Sequence, residues 1–304
     1  MNSPLVSICI ATFNQEDFIE NCLNSVVSQK TNFEIEIVVG DDASTDKTQK
    51  IIQKFVKTNY GLFKPILRKR NLGCPFNGLD LYHKARGKYI ALLDGDDYWT
   101  DPHKLKKQID YLESNPDCSF CFTDSEVIQH GHKNSILPNY RIEKKLNGID
   151  FADQAGSIAQ TCTVVVRANL IKNLPEWVTT SYTGDWCMQI HFTQFGFAGY
   201  IPETTAIYRI HDHGIWSRLN EFDAWRKNLK FYKSALLQFK DKTYKARLIN
   251  RVNSTLCDAL ELANVQANKK EILYWLKIKL TKIPFLLIKQ TFHSIILILT
   301  PFKK

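Results

Sequence analysis

The chain has 304 residues, 44% of them hydrophobic and 23% charged, which allows a large folded core and excludes a disordered or fibrous protein. Its net charge of +9 is held unevenly: residues 205–304 carry 19 Lys and Arg against 7 Asp and Glu, which leaves residues 1–204 at −3. A mildly acidic body with a basic tail points to an anionic surface or ligand met by the tail, and nucleic acid is not among the expected partners.

Met1 to Pro4 lead directly into the apolar run Leu5–Ile10, without the basic segment and cleavage site of a signal peptide. Retention in the cytoplasm is therefore expected. Leu5–Ala11 reads as a first strand, and Asn14 as the cap of a helix whose stripe is Phe18, Ile19, Cys22, Leu23, Val26 and Val27. Glu34–Gly40 is a second strand. It ends at Asp41 and Asp42, after which Ser44 or Thr45 caps a helix burying Ile51, Ile52, Phe55 and Val56. Pro65–Arg68 is a third strand, followed by a turn-rich loop and a helix carrying Leu79, Tyr82 and Ala85.

Tyr89–Leu93 is apolar on both faces, the pattern of a buried parallel strand. Asp94, Asp96 and Asp97 follow at once. Carboxylates this close oppose one another's ionisation unless a cation neutralises them, and hard oxygen ligands suit Mg2+ or Mn2+. Strands alternating with helices imply a parallel sheet, which binds ligands beyond the carboxyl ends of its strands. Thr12, Asp41, Asp42 and the Asp94–Asp97 cluster then share one rim. No G-x-G-x-x-G follows the first strand and no phosphate-binding P-loop is present, so a dinucleotide dehydrogenase and a P-loop enzyme lose support.

Asp101 and Pro102 open a helix with Leu105, Ile109 and Leu112 inward. Cys118 and Cys121 lie in a strand over 118–123 and read as core, and the eight scattered cysteines fit reduced, mostly buried thiols. Residues 124–158 read as irregular loops facing a substrate, and Thr161–Arg167 as a strand. Asp185 precedes a helix with Met188 and Ile190, and residues 198–210 read as two short strands.

The ordered set VSICIATFN, VVGDDASTD, ALLDGDDYW, GDW and YRIHDHGIWS resembles the inverting family 2 glycosyltransferases of the GT-A fold, over about residues 4–217. The resemblance implies an α/β fold with a mostly parallel central sheet and helices on both faces, in a domain over 1–217. Its nucleotide-binding half is 1–117 and its acceptor half 118–217. It further implies a nucleotide-sugar donor, usually UDP-linked, and a hexosyl or hexosaminyl transfer to a glycan or lipid-linked glycan.

The matching positions then take these roles. Ala11, Thr12 and Asn14 contact the base, and Asp41 or Asp42, with Asp42 favoured, grips it. Asp94 and Asp96 bind ribose and the cation. Asp96, Asp97 and His211 form the metal set, Asp185 is the general base, and Arg209 contacts phosphate. Trp186 and Trp177 would offer sugar-stacking surface beside Asp185 and raise its basicity by desolvation.

The chain departs from the family at Gly78 and Leu79, where an Arg-Asn pair is common; Arg68, Lys69 or Arg70 would substitute. The Q-x-x-R-W signature of processive synthases is absent, which implies one sugar per acceptor. Residues 218–304 read as a basic helical extension, with a stripe of Leu229, Tyr232, Leu236 and Leu237. The segment 283–300 approaches membrane-span length but carries Lys289, Gln290 and His293, so an interfacial helix on the cytoplasmic face of the inner membrane fits it better than a spanning one. A packed helix or dimer contact is the alternative, and oligomeric state stays open. Two other function classes compete: a sugar-1-phosphate nucleotidyltransferase, which needs a Gly-rich basic loop where TFNQED stands, and a non-catalytic sugar-binding module.

Overall fold

The computed structural model describes residues 3–152, 157–181, 184–214, 217–239, 241–266 and 268–282. The segment 283–300 therefore lies outside the described residues. The chain divides into two compact units, Met1–Arg218 and Leu219–Lys304.

In chain order the first unit runs β1 (Val6–Thr12), α1 (Ile19–Val27), β2 (Ile35–Asp41), α2 (Thr48–Thr58), β3 (Phe63–Leu67), α3 (Phe76–Lys84), β4 (Tyr89–Asp94), β5 (Tyr98–Trp99) and α4 (Lys104–Ser114). It continues through β6 (Cys118–Gln129), β7 (His132–Leu137), β8 (Lys144–Leu146), α5 (Gly148–Ala152), a 3-10 turn (Thr161–Thr163), β9 (Val165–Arg167), α6 (Ala168–Ile171), α7 (Glu176–Thr179), α8 (Gly184–Phe192) and β10 (Phe197–Ile210).

Among the described residues the strands form one mixed sheet in the order β3-β2-β1-β4-β9-β6-β10-β5, with β7 on β6 and β8 on β10. It is parallel from β3 to β4 and again between β6 and β10, while β9 runs antiparallel between those blocks. The central strands are buried on both faces because they are apolar at nearly every position: Val6, Ile8, Ile10, Ile37, Val39, Tyr89 and Ala91 pack with Ile19, Leu23 and Val26 of α1 and with Leu105, Ile109 and Leu112 of α4. Removing this apolar area from water is the main stabilising term.

Several local expectations give way to tertiary contacts. Asn14 does not cap α1; it sits at φ +50° and its Oδ1 accepts the Thr45 N–H at 2.8 Å, tying the first rim loop to the second. Asp46 accepts the Thr48 N–H at 2.9 Å, the capping role expected of Ser44 or Thr45. On α3 the inward residues are Asn77 and Leu81, because Asn77 Nδ2 donates to the Gly40 carbonyl at 2.9 Å; Leu79 and Tyr82 are half-buried. Helix α4 begins at Lys104, after Pro102.

The expected loop over 124–158 instead holds the end of β6, then β7, β8 and α5, and residues 161–163 form a 3-10 turn rather than the start of a strand. Residues 197–210 make one 14-residue strand, with register shifts at Ile201/Thr204 and Thr204/Ala206 that absorb Pro202.

The second unit contains α9 (Glu221–Gln238), α10 (Lys242–Val265) and α11 (Lys269–Lys282). Asn220 and Asp241 cap α9 and α10. Phe222, Leu256, Leu260 and Trp275 form its core, and Arg226 pairs with both Asp223 and Glu271. On α9 Phe222, Phe231, Tyr232 and Ala235 are the buried residues, whereas Leu237, expected in the stripe, is 76% exposed. Among the described residues no helix is long and apolar enough to cross a membrane.

Candidate active site

Strand register builds the rim. Thr12 pairs with Asp41 and Ala11 with Asp94, so three acidic or polar strand ends stand side by side. The Ala11 carbonyl accepts the Gly95 N–H at 2.9 Å, and the Thr12 carbonyl accepts the Asp42 N–H at 2.9 Å. A Cβ at Gly95 would lie 2.8 Å from Thr12 Cβ, so the close approach of the two loops requires glycine there.

The two acids ending β2 differ in use. Asp41 is fully buried; its Oδ2 accepts from the Ser44 N–H at 2.9 Å and Gln49 Nε2 at 2.5 Å, while Oδ1 is buried without a hydrogen-bond partner. Asp42 holds the loop after β3, accepting the Leu72 and Gly73 N–H groups at 2.8 Å each. Arg68 bonds Asp80 at 2.6 Å and Asn77 and pairs with Asp42 at 3.8 Å. Lys69 and Arg70 are exposed.

The acidic cluster separates into three environments. Asp94 is half-buried; burial first, then the charges of Asp96 and Asp185, push its carboxyl up to about 8, against a hydrogen bond from the Thr161 side chain. Asp96 meets His211, Oδ2 to Nε2 at 3.0 Å, and the His211 ring packs tilted against Phe18 with centroids 4.6 Å apart. Asp97 points inward, 1% exposed, and accepts the Arg209 N–H at 2.8 Å. Burial, followed by Asp96 and Asp94, holds the Asp97 carboxyl well above its ordinary range.

The expected metal set of Asp96, Asp97 and His211 is thus not assembled as one group. Among the described residues no three His, Cys, Asp or Glu side chains are arranged to hold a metal ion. Asp96 and His211 are brought together; Asp97 is structural. Arg209 is likewise engaged: its guanidinium donates to the Asp96 carbonyl at 2.6 Å and lies 4.4 Å from the centroid of the Tyr98 ring.

Asp185 enters from the other half of the unit, in the first turn of α8. Burial raises its carboxyl, opposed by hydrogen bonds from the Trp186 backbone, its own backbone and the Ser157 side chain. The two halves meet where a Cβ at Gly184 would touch Pro75 at the start of α3. Groups between them feel both sides: burial and the charges of Asp94, Asp185 and Asp42 push the Cys74 thiol up to about 11, and Tyr208 is raised by burial, Asp97 and Asp185.

Trp186 does not flank Asp185 as a stacking surface. It is 2% exposed and its Nε1 donates to the Phe151 carbonyl at 3.2 Å. The half-buried Trp177 packs edge-on against His191, at the far end of α8. Thr161 and Cys162 join the site without any motif marking them; only the burial of the turn at 160–163 against β4 brings them there.

The family profile described as Glycosyl transferase family 2 matches residues 7–172. An uncharacterised protein of Mycobacterium tuberculosis is 39% identical over 213 residues, covering 69% of this chain and 60% of that protein; the chain thus spans well under two thirds of that relative's length. The Escherichia coli UDP-Glc:alpha-D-GlcNAc-diphosphoundecaprenol beta-1,3-glucosyltransferase WfaP is 40% identical over 110 residues, covering 36% of this chain and 42% of that one. Among solved structures, Staphylococcus aureus TarS 1–349 in complex with UDP-GlcNAc superposes with a TM-score of 0.67 at 17% identity, over 90% of this chain and 78% of that one, and so shares the GT-A fold. With the family profile matching more than half of its length, the chain belongs to glycosyl transferase family 2.

Proposed function

We propose that the protein transfers a sugar, with inversion, from a UDP-linked donor to a hydroxyl of a surface glycan assembled on a lipid carrier. The observation that carries this reading is that the Asp94 carboxyl, besides its own burial, is raised by the charges of Asp96 on the same rim and of Asp185 from the other half of the unit. The names of relatives agree with it: WfaP acts on a diphosphoundecaprenol-linked sugar and TarS binds UDP-GlcNAc.

In this reading Ala11, Thr12 and Asn14 line the base pocket, and Asp42 contacts the base with lone pairs left over from the Leu72 and Gly73 N–H groups. Asp41 supports that loop from beneath. Asp94 takes the ribose. The residue chemistry suits a hard divalent cation: the Asp96 carboxylate and the His211 imidazole lie 3.0 Å apart on the acidic rim, and phosphate oxygens of a bound donor would complete the shell. Asp96 and His211 would hold that Mg2+ or Mn2+, which supplies positive charge against the departing diphosphate.

Asp185 accepts the proton of the attacking hydroxyl. Its raised carboxyl brings its basicity closer to what proton abstraction at neutral pH requires. The 218–304 extension, with its excess of Lys and Arg, attaches the enzyme to an anionic cytoplasmic leaflet; equal flotation of the full chain and of 1–218 with anionic liposomes would oppose this. The catalytic assignment is tested with Asp185→Asn, which should abolish transfer while UDP affinity in Mn2+ stays at the wild-type value. Transfer at the wild-type rate would remove Asp185 from the reaction.

A further inference from the structure

The buried ammonium of Lys104 lies outside the roles described above. Lys104 sits in the first turn of α4 and is 0% exposed, as is Gln108 one turn on. A lysine is seldom buried so completely, because desolvating its charge is costly unless acceptors meet it. Its Nζ donates to Gln108 Oε1 and to the Thr163 carbonyl at 3.3 Å, and it lies 4.9 Å from the centroid of the Trp99 ring. Gln108 Nε2 donates to the same Thr163 carbonyl at 2.8 Å. The preceding carbonyl, of Cys162, accepts from Trp99 Nε1 at 2.8 Å. Two consecutive carbonyls of the 3-10 turn are therefore gripped from α4 and β5.

The end of the turn is tied to β4, where the Val164 carbonyl accepts the Leu92 N–H at 3.0 Å, and the side chains of Thr161 and Cys162 act on the Asp94 and Asp97 carboxyls. Asp97 in turn holds the Arg209 N–H, two residues before His211. Lys104 Nζ bonds only Gln108 Oε1 and the Thr163 carbonyl among the described residues, so it reaches the rim through the backbone of the turn.

We propose that Lys104 and Gln108 are positioning residues for the donor site: by fixing the Thr163 carbonyl, beside the Cys162 carbonyl that Trp99 holds, they set where the 160–164 turn stands against the end of β4 and its acidic loop. The proposal rests on the rim being the nucleotide-sugar site, and the experiment separates the two. UDP is titrated calorimetrically in Mn2+ with wild type, Lys104→Met, Lys104→Arg and Gln108→Met, and amide hydrogen exchange is followed in each.

Loss of a buried charged hydrogen bond to the turn should weaken UDP binding by about tenfold in Lys104→Met. Faster exchange at the Thr163 and Val164 amides, which bond Gln160 O and Thr161 O, should accompany it while the β1 and β4 amides stay protected. Gln108→Met should act in the same direction, and Lys104→Arg should restore much of the loss. If Lys104→Met fails to fold, Gln108→Met alone decides. UDP affinity within twofold of wild type, or uniform faster exchange throughout the unit, would overturn the positioning role. Absence of UDP binding by wild type would instead defeat the functional reading.

Discussion

The Asp97 carboxyl accepts the Arg209 backbone N–H at 2.8 Å, and together with the Arg209 guanidinium bond to the Asp96 carbonyl this ties the end of the acidic loop to the end of β10. It explains why His211, two residues beyond Arg209, reaches Asp96. Asp97→Ala should cost about 1–3 kcal/mol of stability, since it leaves a buried donor unsatisfied, and should weaken nucleotide binding. Asp97→Asn keeps an acceptor oxygen in place, and burial already works against the charged form of the native carboxyl, so its stability in denaturant should stay close to wild type. A large loss in the Asn variant would show that the charge itself matters.

Asp94 makes the ligand-free protein sensitive to pH. Its folded-state carboxyl titrates near 8, above an unfolded value of about 3.9. Between those values the folded state binds more protons than the unfolded one, so stability is highest below the lower value and falls as pH rises through the upper. Thermal unfolding from pH 4 to 8 should show this decline, and Asp94→Asn should flatten it. A profile identical to wild type in Asp94→Asn would contradict the assignment.

Gly95 is required by contact with the first rim loop. Gly95→Ala places a methyl 2.8 Å from Thr12 Cβ and should cost about 1–3 kcal/mol through overpacking. Unfolding in urea checks the cost, and UDP titration should show weaker binding because Ala11 and Thr12 move with the loop.

Trp186→Phe should leave acceptor KM unchanged and cost about 1–3 kcal/mol, by orphaning the Phe151 carbonyl that its Nε1 now satisfies. A raised KM with unaltered stability would return Trp186 to the acceptor site.

The parallel block was legible because β1, β2 and β4 are apolar on both faces and each ends in a polar turn. The same pattern brought Thr12, Asp41 and Asp94 to one rim before any coordinates. What residue types could not convey is direction. Adjacent side chains in a helix diverge by about 100°, so Trp186 faces the core when Asp185 faces the cleft. Asp96 and Asp97 diverge in the same way, one toward His211 and the other inward. The 3-10 turn at 161–163 was hidden because TCTVVVR has the composition of a strand, and only the grip of Trp99 and Gln108 on its carbonyls bends it.

Calorimetric titration of UDP with and without Mn2+, in wild type and in Asp96→Asn, tests the central claim most directly. Binding by wild type should tighten by about tenfold or more when Mn2+ is present, the scale of a charge-assisted phosphate contact, and Asp96→Asn should lose that gain without losing thermal stability. UDP affinity that ignores both the cation and the substitution would contradict the convergence of these acids on one nucleotide-sugar site.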